Sequence, residues 1–204
     1  MMTNGKDVIL AETKKKAIDQ LNQQVTACTN CRLSRTRTNA LCGEGNLNTR
    51  LLLVALSPGK KEDVHNKMFI GPSGRVLDML LEGATISRDL IYMTNLIKCI
   101  LPKNRKPKMD EIHSCSHFLK HEIAIIRPQI IVPLGYYAIR SILTIYHADQ
   151  PPARKDISEL HGRLIVSEGQ MIFPLPHPSS LLYCPAFEPE AMKNYKKLFI
   201  LLHE

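Results

Sequence analysis

Cys28 and Cys31 form a C-x2-C pair near the start of the chain, and Cys99 and Cys115 follow far downstream. For these four thiols to act together, the fold must carry the first segment onto the middle of the chain. A four-thiolate set split in this way suits an iron–sulfur cluster or a structural zinc. Reduced cysteines scattered through a core are the alternative, because free Cys is commonly buried.

Length and charge narrow the class. At 204 residues with 44% apolar content, the chain can bury a sizeable core and is expected to form one globular domain over 1–204. Lys and Arg number 27 against 19 Asp and Glu, a net charge of +8. That excess favours an anionic partner, nucleic acid first, with a merely soluble basic protein as the alternative. No apolar run reaches the ~20 residues a membrane span needs. The opening MMTNGKDVIL lacks the basic-then-apolar pattern of a signal peptide. The expected location is cytoplasmic, where thiols stay reduced and cysteine clusters hold metal more often than they form disulfides.

Periodicity places the elements. Ile9, Leu10, Ala17, Ile18, Leu21 and Val25 recur near helical spacing from about Val8 to Ala27, with Lys14, Lys15 and Lys16 expected on a solvated face. This helix and the Arg-rich, Gly-punctuated loop after it make an N-terminal segment of about 8–45. Leu51 to Leu56 is a continuous apolar run ending at Pro58-Gly59, as a buried parallel strand entering a functional loop reads. A Gly-Pro-Ser-Gly turn at 71–74 opens a helix. Leu90 to Leu96 reads as a strand, Pro102 to Pro107 as a basic loop, Met109 to Ile126 as a helix, and Gln129 to Leu134 as a third buried strand before Gly135. A helix to about Tyr146, a polar linker at 148–158 and two short strands around Glu168-Gly169 follow. Next come the rigid Pro176-His177-Pro178 loop and a last helix from about Glu188 to Leu202. Strands alternating with helices predict an α/β fold with a mostly parallel sheet. Ligands of such sheets bind beyond the carboxyl ends of the strands, which here are the loops at 57–75, 95–107 and 176–183.

Within those loops, several side chains have chemistry to offer. His177, held between prolines, can donate a hydrogen bond to an oxygen that gains negative charge. The amide of Asn95, at a strand end, has both donor and acceptor. Gly71, Ser73, Ser179 and Ser180 offer hydroxyls and backbone N–H groups to phosphates. Lys103, Arg105 and Lys106 form either a phosphate-binding or a solvated loop.

Taken in order, C-T-N-C-R-L-S-R-T-R, S-P-G-K-K-E-D, M-F-I-G-P-S-G-R-V-L-D, T-N-L-I-K-C, C-S-H-F-L, I-I-V-P-L-G and H-P-S-S-L-L-Y resemble the motifs of the uracil-DNA glycosylase superfamily. The likeness is to its iron–sulfur families, four and five, and runs from Cys28 to the last helix. It implies a three-layer α/β/α fold around a four-stranded, mostly parallel sheet. The implied enzyme flips a base out of DNA and hydrolyses its N-glycosidic bond. The implied substrate is DNA, single- or double-stranded, carrying uracil or a related deaminated base, and the expected enzyme is a monomer. The resemblance makes His177 and Asn95 catalytic and Phe69 the ring under the flipped base. Glu62 becomes a guard at the C5 edge of the base, and Leu181 and Leu182 the wedge that enters the stack. It makes Cys28, Cys31, Cys99 and Cys115 ligands of a four-iron four-sulfur cluster, with zinc as the alternative, and leaves Cys42 and Cys184 free.

One motif departs from the family. Family four carries Gly-Glu-Ala-Pro-Gly where this chain has Ala55-Leu56-Ser57-Pro58-Gly59, so Leu56 stands in the place of the acid. Leu56 and Ser57 then line the base pocket, and Glu62 or Asp63 is the candidate substitute for the acid. Two other functions stand beside this one, and the altered motif leaves room for the first. One is a glycosylase acting on enlarged pyrimidines of foreign DNA in defence. The other is an inactive reader of modified bases.

Overall fold

The computed structural model describes the backbone of residues 5–146 and 157–203, with side chains from residue 11 onward. The side chains of Ile9 and Leu10 lie outside the described residues, as does most of the expected linker at 148–158. Thirteen helices and strands organise the rest: α1 (Gly5–Ala27), β1 (Glu44–Gly45), β2 (Leu51–Ala55), α2 (Lys60–His65), α3 (Pro72–Gly83), β3 (Ile91–Asn95), α4 (Met109–Ile126), β4 (Ile130–Pro133), α5 (Tyr136–Ile145), β5 (Ile165–Ser167), β6 (Gln170–Ile172), α6 (Ser180–Tyr183) and α7 (Glu188–His203).

The sheet runs β1-β3-β2-β4-β6-β5. Its four central strands are parallel, with Leu51 opposite both Ile91 and Ile130, and Ile130 opposite Met171. Two short antiparallel strands, β1 and β5, close the edges, so the sheet has six strands where four were expected. The extra pair is legible only in part. β1 has just two residues, too few for any periodicity to register.

Side chains alternate across the strands, as a pleated backbone requires. Leu52, Val54, Tyr92 and Ile131 face a core layer built with α1, α4 and α5. Leu51, Leu53, Ala55, Met93 and Val132 face the opposite layer, built with α3 and α7. Burial on both faces explains why β2 reads as an unbroken apolar run, and all five of its residues are buried.

Helix ends follow local chemistry. Gly71 caps α3 and Pro72 fills its first turn, where a missing N–H costs nothing. At the start of α4 the Glu111 carboxylate accepts the Lys108 N–H at 2.8 Å. Arg127 ends α4 in the left-handed conformation, and Pro128 prevents its continuation. Lys14 does not sit on a solvated face as expected. Its ammonium donates to the carbonyls of Ile126 (2.9 Å) and Leu47 (3.2 Å), so it caps α4.

Candidate active site

The carboxyl ends of β2, β3, β4 and β6 open into one cleft of about 510 Å³. Leu56 and Ser57 follow β2, Asn95 ends β3, Tyr136 and Tyr137 follow β4, and His177 follows β6; all of them line it. The parallel pairing extends past β4 and β6 through a bridge between Leu134 and Leu175. Gly135 then donates its N–H to the Leu175 carbonyl at 2.9 Å, with φ at +80°. A Cβ at that position would approach the Cβ of His177 to 3.1 Å, so glycine here allows the histidine loop to close onto β4.

The tautomer of His177 follows from its partners. The Ser179 backbone N–H donates to Nδ1 at 3.2 Å, and the Ser179 hydroxyl lies 2.8 Å from the same atom. Nδ1 is therefore an acceptor, and the neutral ring carries its proton on Nε2. Burial pulls the pKa of His177 down to about 4, while the Glu62 carboxylate pushes it upward to a lesser degree. At neutral pH this side chain is an uncharged N–H donor.

Opposite it, the Phe69 ring faces His177 at a centroid distance of 6.3 Å and an interplanar angle of 29°. Phe69 has φ of +52°, an uncommon conformation for a non-glycine residue. Arg88 anchors that turn, donating to the Met68 carbonyl and to Asp78, each at 2.7 Å. Asn95 is buried and donates from Nδ2 to the Met68 sulfur at 3.2 Å, which leaves its carbonyl and second N–H uncommitted. The Glu62 carboxylate nestles between two glycines. Oε1 accepts the Gly71 N–H at 2.6 Å, and a Cβ on Gly59 would come within 2.6 Å of Oε2. Among the described residues, Glu62 is the only acidic side chain lining the cleft.

Gly71, Ser73 and Ser179 also line the cleft, but other expected residues take different positions. Asp63 is turned away from it. Its carboxylate accepts the backbone N–H groups of Thr38 (3.0 Å) and Asn39 (3.3 Å), because on α2 it falls on the side facing the N-terminal segment. Leu181 is buried among the α3 and α7 side chains, whereas Leu182 and Tyr183 are exposed and line the cleft. A helix of one turn can present only one of two adjacent leucines outward. Ser180 does not line the cleft, and its N–H closes a turn on the His177 carbonyl at 2.9 Å. Lys103 is exposed outside it. Arg105 lines the cleft, but its guanidinium is held by Glu111 through bonds of 2.9 and 2.5 Å.

The fold does bring the four cysteines together. Cys28, Cys31, Cys99 and Cys115 line one small cleft where α1 and its following loop meet α4. None is in a disulfide. The Arg37 guanidinium donates to the Cys99 sulfur at 3.2 Å, and the Lys98 N–H to the Cys115 sulfur at 3.3 Å. Burial raises the Cys99 thiol above its ordinary value and the Cys115 thiol to about 11. Among the described residues, no three Cys, His, Asp or Glu groups converge on a point that could hold a single ion. Four thiols lining one shared space are a donor set that suits an iron–sulfur cluster or a structural zinc.

Sequence reading missed the polar core behind this cleft. The Lys98 ammonium donates to Glu122 at 2.6 Å and to Thr94 at 2.5 Å, and both charged residues are buried. The signal was present: Glu122 lies on the apolar stripe of α4 with Cys115, Phe118, Leu119 and Ile126. Tyr136 and Tyr137 were also missed, although they directly follow the third strand. No described helix is long and apolar enough to cross a membrane.

Residues 42–199 match the model of the uracil DNA glycosylase superfamily. The chain is 36% identical over 171 residues to a type-4 uracil-DNA glycosylase of Thermotoga maritima, covering 83% of this chain and 85% of that protein. It is 32% identical over 182 residues to the type-4 enzyme of Saccharolobus solfataricus, covering 89% and 84%. A type-5 uracil-DNA glycosylase of Pyrobaculum aerophilum is 30% identical over 152 residues, covering 67% and 64%.

Proposed function

The chain belongs to the uracil-DNA glycosylase superfamily, and on that footing we propose that it is a monofunctional DNA glycosylase that removes uracil, or a related deaminated base, from DNA. The observation that carries the reading is His177. It is neutral, oriented by Ser179, and has its one N–H in the same cleft as the half-free amide of Asn95.

Breaking the glycosidic bond leaves negative charge on the base and positive charge on the sugar. A fixed N–H donor stabilises the first without reorganising. A histidine with a pKa of about 4 remains a hydrogen-bond donor and does not hand over its proton at pH 7. The Asn95 amide suits the Watson–Crick edge of uracil, its carbonyl accepting N3–H and its N–H donating to O4. Cytosine reverses both roles, which leaves two mismatched groups in a buried site, and such groups are costly. Phe69 supplies a face for the extruded ring. Glu62, whose charge already acts on His177, is the group available to support the sugar cation or orient water, since Leu56 can do neither. Leu182 and Tyr183, exposed at the mouth, are the side chains able to fill the gap the base leaves.

The cysteine cleft fits a four-iron four-sulfur cluster held by Cys28, Cys31, Cys99 and Cys115. When bound, such a group would supply iron that takes the four cysteine thiolates as ligands and so fasten the N-terminal segment to α4, and no step of the hydrolysis needs it.

The test is incubation with DNA oligonucleotides bearing uracil, hypoxanthine, xanthine or hydroxymethylated cytosine, followed by detection of abasic sites. Abasic sites at uracil or a deaminated base support the proposal. Sites only at the enlarged cytosine, or binding with no excision of any base, would overturn it in favour of the two alternative functions.

A further inference from the structure

We propose that Asp63 is a positioning residue, one end of a strut that couples the cysteine cleft to the catalytic cleft. The inference rests on the proposed glycosylase activity and extends it.

The strut can be followed atom by atom. At one end, Arg37 donates to the Cys99 sulfur at 3.2 Å and to the carbonyls of Cys28 and Thr26, each at 2.9 Å. A single guanidinium thus touches ligand residues from both halves of the split cysteine set. The next two residues, Thr38 and Asn39, present their backbone N–H groups to the Asp63 carboxylate at 3.0 to 3.3 Å. The Asn39 side chain returns the bond, donating to the Asp63 carbonyl at 2.7 Å. Asp63 is buried, so this cluster of charge-assisted bonds is shielded from water. Its neighbour on α2 is Glu62, whose carboxylate is fixed on the Gly71 N–H at the floor of the catalytic cleft and acts on His177. The Arg37 bond to sulfur and the Glu62 bond to Gly71 are therefore joined by a short run of backbone, in which the Asp63 carboxylate and the Asn39 amide tie the two segments together.

A link of this kind transmits in both directions. Weakening it at Asp63 frees the 37–39 segment, and with it the Arg37 grip on the cysteine cleft. Weakening it at Arg37 frees α2, and with it Glu62. An aspartate that only stabilised its own turn would do neither.

The experiment uses the full chain, purified with its iron, and the variants Asp63→Asn, Asn39→Ala and Arg37→Met. Two quantities are read well below each variant's melting temperature: the rate of iron loss to bathophenanthroline, and kcat and KM of the iron-loaded fraction on a uracil oligonucleotide. Losing one charge-assisted bond is worth about tenfold in such rates. Asp63→Asn is expected to speed iron loss about tenfold and lower kcat by a similar factor, with KM nearly unchanged. Arg37→Met is expected to lower kcat in protein that still holds its iron, and Asn39→Ala to show a smaller version of both effects. Iron loss from Asp63→Asn at the parent rate, or full kcat in iron-loaded Arg37→Met, would overturn the coupling. The iron measurement does not depend on catalysis, so a parent protein without glycosylase activity would refute the function while leaving the strut to be judged by iron loss alone.

Discussion

At the scale of single residues, the account turns on one proton. His177 has Nδ1 occupied by donors from Ser179, so its remaining N–H is on Nε2. With a pKa of about 4 against an ordinary 6.5, the neutral ring is favoured by the fold. Between those values the unfolded chain binds the proton that the folded chain refuses, so stability rises with pH. The contribution of His177 is complete above about pH 6.5 and is lost as pH falls toward 4. Nitrogen NMR of the folded protein at pH 7 is expected to show a neutral, Nε2-protonated ring, with no titration until the pH nears 4; a midpoint near 6.5 would contradict the assignment. His177→Ala and Asn95→Ala are each expected to lower the rate of excision ~10²–10³-fold. Leu56→Ala should cost much less, because an alkyl group shapes the cleft but cannot bear charge. Single-turnover rates of the three variants make the comparison.

At the scale of elements, α6 separates two leucines that look equivalent in sequence. Leu181 packs on α3 and α7, and Leu182 faces the cleft mouth. Leu181→Ala is expected to destabilise the fold by about 2–5 kcal/mol. Leu182→Ala should leave the melting temperature in place and slow excision from duplex DNA more than from single strands. The tie between β3 and α4 makes a second test. Removing one partner of the buried Lys98–Glu122 pair strands a charge and costs about 3–5 kcal/mol. Chemical denaturation of Lys98→Met and Glu122→Gln reads that loss; replacing both together should recover part of it. Sequence patterns reached the elements well where burial is two-sided or periodic, as in β2, β4 and α4. They did not reach the direction of individual side chains. Asp63 and Glu62 are neighbours with opposite tasks, and nothing in the string E-D says which one faces the cleft. The fork of Arg37 toward Cys99 spans 62 positions and has no local signature.

At the scale of the whole molecule, a sheet with its strand ends gathered at one edge accounts for how motifs scattered from residue 55 to residue 183 come to share one cleft. Their order was legible because parallel strands must be followed by loops on that same edge. The size of the cleft and the outward turn of Asp63 were not, since both depend on helix packing. Two bulk properties follow. Protein prepared without oxygen should be brown and contain iron with acid-labile sulfide; stoichiometric zinc without iron would contradict the reading of the cysteine cleft. A net charge of +8 implies counterion release on DNA, so affinity should fall steeply between low and moderate salt. The central claim is that this cleft hydrolyses a glycosidic bond, and the most direct measurement is the release of free base. The parent protein and His177→Ala are each mixed in excess with a uracil-containing oligonucleotide, and free uracil is quantified by mass spectrometry against time. The account predicts free uracil and an unbroken abasic strand from the parent protein, with release slowed at least a hundredfold in the variant. Equal release from both proteins, or none from either, would contradict it.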